Sequence, residues 1–299
     1  MTASAETRTV AAGRVDLRAV AVFLTVTFGA SWLIASPLWF SGRGLATPGA
    51  TLLLGAMMVS PSLGVLAVRL TVQRGRRLTE GTGLGGTGFR RWWRWGLLGW
   101  LAPLPLALLA LGLATAVGVY HPDLAHLSGL TAALGPLPVS PWVLVAAQLA
   151  QVLVVGWVDV IPALGEEWGW RGWLLPELLP WGEWPAMVVI GVVWGLWHAP
   201  VLLLGYNYPL EGPAVRLLLM VAFCVVLSVL FGWLRLRSES VWPAAIAHGF
   251  LNAAAGSALL FSTAGQPVDN ATTGLLGWTG WLVLAAAFLG VTAVVRHAR

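Results

Sequence analysis

The sequence predicts an all-α, polytopic membrane protein, a bundle of about eight transmembrane helices. Three observations predict it. Apolar residues fill 58% of the 299 positions. Charged residues fill only 10%, where a soluble chain carries about 25%. Apolar windows of about 20 residues, the length that crosses the hydrocarbon core of a bilayer, recur along the chain at 19–41, 50–72, 96–119, 142–165, 185–204, 214–234, 241–261 and 275–295.

Each window has its own reason. The first, 19–41, is too long for a cleaved signal sequence and lacks a convincing cleavage site. The second, 50–72, runs into an arginine-rich loop. The third, 96–119, follows Arg90-Arg91-Trp92-Trp93-Arg94-Trp95, which reads as an interfacial anchor with indoles at headgroup depth. The fourth, 142–165, carries a polar series, Gln148, Gln151 and Asp159, that continues to Glu166 just past its end. The fifth, 185–204, contains Trp194 and His198. The sixth, 214–234, contains Cys224, the only cysteine, so no intramolecular disulfide is possible and the residue reads as a small core side chain. The seventh, 241–261, contains His248 and Asn252, and the eighth, 275–295, is plainly apolar.

Orientation follows from arginine, since the chain has no lysine. Arg8, Arg14 and Arg18 precede the first window, and Arg74, Arg76, Arg77, Arg90, Arg91 and Arg94 follow the second. Arg171 follows the fourth, Arg235 and Arg237 end the sixth, and Arg296 and Arg299 end the chain. The alternate loops 120–141, 205–213 and 262–274 have none, and only Arg43 follows the first window. Arginine excess marks the cytoplasmic side. Both termini are therefore expected in the cytoplasm: a tail at 1–18, one membrane domain over 19–295, and a short tail at 296–299. The net charge of +5 is explained by these loops facing anionic headgroups, so the lipid bilayer is the expected partner and nucleic acid is not. Arginine without lysine, with abundant Ala and Gly, suggests a GC-rich bacterium and its plasma membrane.

The fourth window is the most informative. Its polar residues are separated by three, eight and seven positions, which keeps them near one helical stripe. In lipid those groups would be unsatisfied, so the stripe is expected to face the bundle interior or a wet cavity; a polar packing seam is the plainer reading for the glutamines. Pro162 removes one backbone hydrogen bond just before the glutamates. Glu167 and Arg171 are spaced i,i+4 with the acid first, the favourable order for a helix ion pair. Glu166 is turned about 100° away from Glu167. One carboxylate is thus expected to be neutralised and structural. The other stays free, and in an apolar site it can act as a general base near neutral pH.

Trp194 and His198 are also i,i+4, so the indole can pack beside the imidazole. A satisfied core histidine is the plainer reading. His248 and Asn252 share the same spacing, and both can donate hydrogen bonds. That pair could receive an oxyanion or simply bond one helix to another.

Together, Glu-Glu-x-x-x-Arg at 166–171, aromatic-x-x-x-His at 194–198 and His-x-x-x-Asn at 248–252 resemble the three motifs of the CPBP family. These are the CAAX-protease and bacteriocin-processing intramembrane proteases, also called the Abi family and related to the eukaryotic prenyl-protein protease. The resemblance covers about residues 140–260. Trp194 departs from the Phe more often found in the second motif. The resemblance implies an intramembrane endopeptidase acting on a membrane-associated peptide or protein. It implies Glu166 and His198 activating a water, His248 and Asn252 holding the tetrahedral oxyanion, and Glu167, Arg171 and Trp194 in support. Family members have been called metalloproteases, and Glu166, His198 and His248 could supply a His₂Glu zinc set. With no HExxH pair and three separate helices supplying the candidates, metal-free water activation is favoured.

Two rival readings remain. A proton-coupled transporter could use Asp159, Glu166 and the histidines as a relay, but it would predict repeats or broken helices in both halves, and the intramembrane acids lie in one helix. An inactive immunity or scaffold protein could retain the fold, though the motifs are intact.

Overall fold

The helices of the computed structural model follow the apolar windows, and their ends fall where proline, glycine and arginine interrupt them. Residues 13–85, 88–135 and 138–297 are described. Arg8 and Arg299 of the expected tails lie outside the described residues. In chain order the helices are α1 (Leu17–Phe40), α2 (Ala50–Met57), α3 (Ser60–Thr71), α4 (Phe89–Leu101), α5 (Pro103–Ala116), α6 (Ser128–Leu134), α7 (Pro141–Glu167), α8 (Leu175–Leu178), α9 (Glu183–Trp197), α10 (Ala199–Leu202), α11 (Pro213–Ser238), α12 (Trp242–Ala255) and α13 (Trp278–His297). No strand is present among the described residues.

The molecule is thus an all-helical polytopic membrane bundle. Seven described helical runs are long and apolar enough to cross a bilayer: Leu17–Phe40, Ala50–Thr71, Phe89–Ala116, Pro141–Trp181, Pro213–Ser238, Trp242–Phe261 and Trp278–Val295. The remaining window, 185–204, holds the 15-residue helix α9 and the short α10, separated at His198. The break has a local cause. Pro200 has no N–H to donate and disfavours helical backbone just before it, and the His198 amide bonds Gly195 O instead of completing the regular turn. Two further details differ from the windows. The helix of the third window starts earlier, so that Arg90–Trp95 forms the opening turns of α4. The helix carrying the glutamates does not stop beside them: it runs on through a π-helical stretch, Trp168–Leu174, into α8.

Two compact units emerge from the packing. The first takes in Met1–Gly99 and Val160–His248, the second Trp100–Asp159 and Gly249–Arg299. In the first, α9 lies along α11, α1 packs on α2 and α3, and α3 packs on the π-helical stretch. Small residues permit these approaches, as they do between membrane helices generally. A Cβ on Gly191 or Gly195 would stand 2.5 Å from the Cα of Val225 or Val221 on α11. The spacing Gly191-x-x-x-Gly195 therefore forms the flat face on which α11 rests. Phe23 of α1 stacks on Trp173 at 4.8 Å and meets Trp170 edge-on at 5.5 Å. Trp197 donates its indole N–H to Ser60 Oγ at 3.0 Å, and Trp39 donates to Pro200 O at 2.9 Å.

In the second unit α5 packs on α13, and α6 packs on the 3₁₀ turn Gly256–Phe261. Trp100 donates to Leu153 O at 3.0 Å and Tyr120 donates to Ala258 O at 2.6 Å. Phe250 sits over Gly156 and edge-on to Trp157 at 5.3 Å.

Candidate active site

In the first unit the end of α7, the π-helical stretch, α9, α11 and α12 bring ionisable side chains together in a buried setting. Glu166 is 2% exposed, Glu167 and Arg171 are fully buried, and His248 is 4% exposed. Charges this deep persist only when paired. The i,i+4 spacing supplies the first pair: Arg171 Nη1 donates to Glu167 Oε1 at 2.8 Å. The same oxygen accepts from His248 Nδ1 at 3.0 Å. The Arg171 guanidinium lies over the Trp194 ring at 4.4 Å and near Phe231 at 5.2 Å, and a delocalised cation gains from such aromatic faces. Phe231 also stacks on the His248 ring at 5.6 Å.

Glu166 takes a different partner. Its Oε2 accepts the indole N–H of Trp194 at 2.6 Å. The two adjacent carboxylates are thus divided as the helix geometry requires. Glu167 faces a cation and an imidazole, and Glu166 faces a neutral donor. The departure of residue 194 from Phe therefore has a chemical consequence, since phenylalanine has no N–H.

His198 ends α9, where the last carbonyls lack helical donors. Its Nδ1 bonds Trp194 O at 2.8 Å, and a histidine closing the final turn in this way satisfies one of them. A carbonyl can only accept, so Nδ1 carries the proton and Nε2 presents its lone pair. The ring is half-buried and stands edge-on to Trp197 at 4.7 Å. His248 is likewise bonded through Nδ1 to an acceptor.

Asn252 lies one turn beyond His248 on α12, in the second unit, with an exposed side chain. Nδ1 of His248 is bonded to Glu167, so any part His248 takes as a donor beside Asn252 falls to Nε2. Gln148, Gln151 and Asp159 line a cleft of about 290 Å³ in the second unit, together with Ala253 and Ser257.

No group of three His, Cys, Asp or Glu side chains able to hold a metal occurs among the described residues. Glu166, His198 and His248 are therefore not arranged as a His₂Glu set in this structure.

Two nearby residues carry no sequence signal. Phe231 floors both Arg171 and His248, yet it is one apolar residue in an apolar helix. Tyr206, in the loop after α10, is half-buried, and its hydroxyl is pushed above the usual tyrosine range by burial first and by the Glu166 charge second. Its proximity to Glu166 depends on how that loop folds back.

No curated protein sequence matches the chain. Residues 146–254 match the model of the family described as Rce1-like, Type II CAAX prenyl endopeptidase Rce1-like, and this segment, about a third of the chain, holds all three motifs.

Proposed function

We propose that the protein is an intramembrane endopeptidase that cleaves a membrane-associated peptide or protein by activated-water attack. The observation that carries this reading is the division of the two glutamates. Arg171 and His248 occupy Glu167, whereas Glu166 keeps one oxygen on Trp194 and the other for chemistry. Glu166, with His198 Nε2 as a second acceptor, draws a proton from water as its oxygen bonds to the scissile carbonyl carbon. Asn252 and His248, the latter through Nε2–H when protonated, stabilise the resulting oxyanion. The proton on Glu166 then passes to the leaving nitrogen as the C–N bond breaks, giving a carboxylate and an amine. Glu167, Arg171 and Trp194 hold the frame. The same reading places both termini in the cytoplasm of a bacterium, with the glutamates toward that side.

Comparing membrane peptides from cells carrying the wild type and Glu166→Ala tests it. Uncleaved precursors are expected to accumulate in the variant, and identical peptide profiles would overturn the reading. On a precursor so identified, Asn252→Ala is expected to lower cleavage about a hundredfold. A chelator is expected to leave cleavage unchanged; loss restored by added metal would move the chemistry to a bound ion. For orientation, a reporter active only in the cytoplasm and fused within 262–274 is expected to be silent.

A further inference from the structure

Trp194 is bonded to both groups assigned above to water activation. Its indole N–H donates to Glu166 Oε2 at 2.6 Å, and its main-chain carbonyl accepts from His198 Nδ1 at 2.8 Å. The side chain is 2% exposed. Its ring is clamped by the Arg171 guanidinium at 4.4 Å and by the His248 ring edge-on at 5.3 Å. Its helix is pressed against α11 through Gly191 and Gly195. The indole therefore has little freedom to leave the carboxylate.

We propose that Trp194 is a positioning residue: its N–H aims and holds the Glu166 carboxylate while its carbonyl fixes the tautomer and angle of His198. The separation of base and histidine is then set by one residue. A short bond to one oxygen prevents rotation of the carboxylate, so the second oxygen is always the one presented to water. The bond to the carbonyl keeps the proton of His198 on Nδ1 and its lone pair on Nε2. Packing of the ring alone would require only an aromatic side chain, and the main-chain carbonyl is common to every residue; the bond to Glu166 requires an indole N–H at this position in this rotamer. The same N–H satisfies a carboxylate that Arg171, committed to Glu167, does not reach by hydrogen bond. This inference rests on the reading of Glu166 as the base.

The test replaces Trp194 by Phe and, as a second variant, by its benzothienyl isostere, which keeps the indole shape but has sulfur in place of the N–H. Two readouts are used. On a precursor that accumulates with Glu166→Ala, both variants are expected to lower kcat about tenfold with KM unchanged, because the lost N–H acts through Glu166, while the carbonyl bond to His198 is kept in both. Independently of any substrate, labelling of Glu166 by a hydrophobic carbodiimide, which requires a protonated carboxyl, is read by mass spectrometry. Loss of the donor is expected to speed it several-fold in the isostere, where shape and access are conserved. Unchanged kcat and unchanged labelling in the isostere would overturn the proposal, even if the Phe variant folds poorly. If Glu166→Gln also retained full cleavage, the reading of Glu166 as the base would have failed instead; an inactive Glu166→Gln beside a fully active isostere would sink the positioning role alone.

Discussion

Around Glu166 and Glu167, at the end of α7, the polar side chains are buried and bonded to named partners on α9, the π-helical stretch and α12. Around Gln148 and Gln151, earlier on the same helix, the amides stand exposed along a cleft. Both regions belong to one polar series in the sequence. What separates them is the cost of failure. An exposed amide in a cleft can be satisfied by water, whereas a buried carboxylate or guanidinium without a partner costs several kcal/mol. Polarity inside an apolar helix therefore marks a place worth examining. Burial together with specific partners marks a site.

The contrast can be broken most forcefully at Arg171. Arg171→Leu leaves Glu167 buried beside only His248, and loss of one partner of a buried pair costs about 3–5 kcal/mol. The expected outcome is a sharp fall in folded, monodisperse protein in detergent; a normal yield and melting temperature would show the pair to be dispensable. Next in size is Glu166→Gln, which preserves shape and an acceptor for Trp194 but removes the base. Cleavage is expected to drop at least about a hundredfold with the melting temperature close to wild type, the reverse of the Arg171 result.

Smaller effects test the frame and then the cleft. Gly191→Val drives a side chain into the Val225 backbone of α11, and overpacking of this kind costs about 1–3 kcal/mol. A thermal melt is expected to shift downward, and an unchanged melt would mean that α9 and α11 adjust freely. At the other end of the scale, Gln151→Leu is expected to change stability by no more than about 0.5 kcal/mol and cleavage by less than twofold. A large loss of cleavage at Gln151 would erase the distinction between the two regions and bring the cleft into the site.

Much of this was legible without coordinates. Composition and window length are bulk properties, so the helical membrane class and the positions of the spans follow from the chain itself. The exception is the window 185–204, where Pro200 and the capping by His198 shorten α9. The Glu167–Arg171 pair was also readable, because i,i+4 contact is a property of one helix and needs no neighbour. The bond from Trp194 to Glu166 and that from His248 to Glu167 span 28 and 81 residues. No periodicity predicts them. They exist because Gly191 and Gly195 let α9 close on α11 and because the chain continues as a π-helical stretch past the glutamates, turning Arg171 under the Trp194 ring.

What the sequence determined by itself is the solvent, the helices and the partners within each helix, since hydropathy and a 3.6-residue period act locally. Only the tertiary structure decided which carboxylate is occupied by His248, which is held by an indole, and which polar residues of α7 line a cleft. Those outcomes depend on the distances and rotamers with which separate helices meet, and those are set by packing.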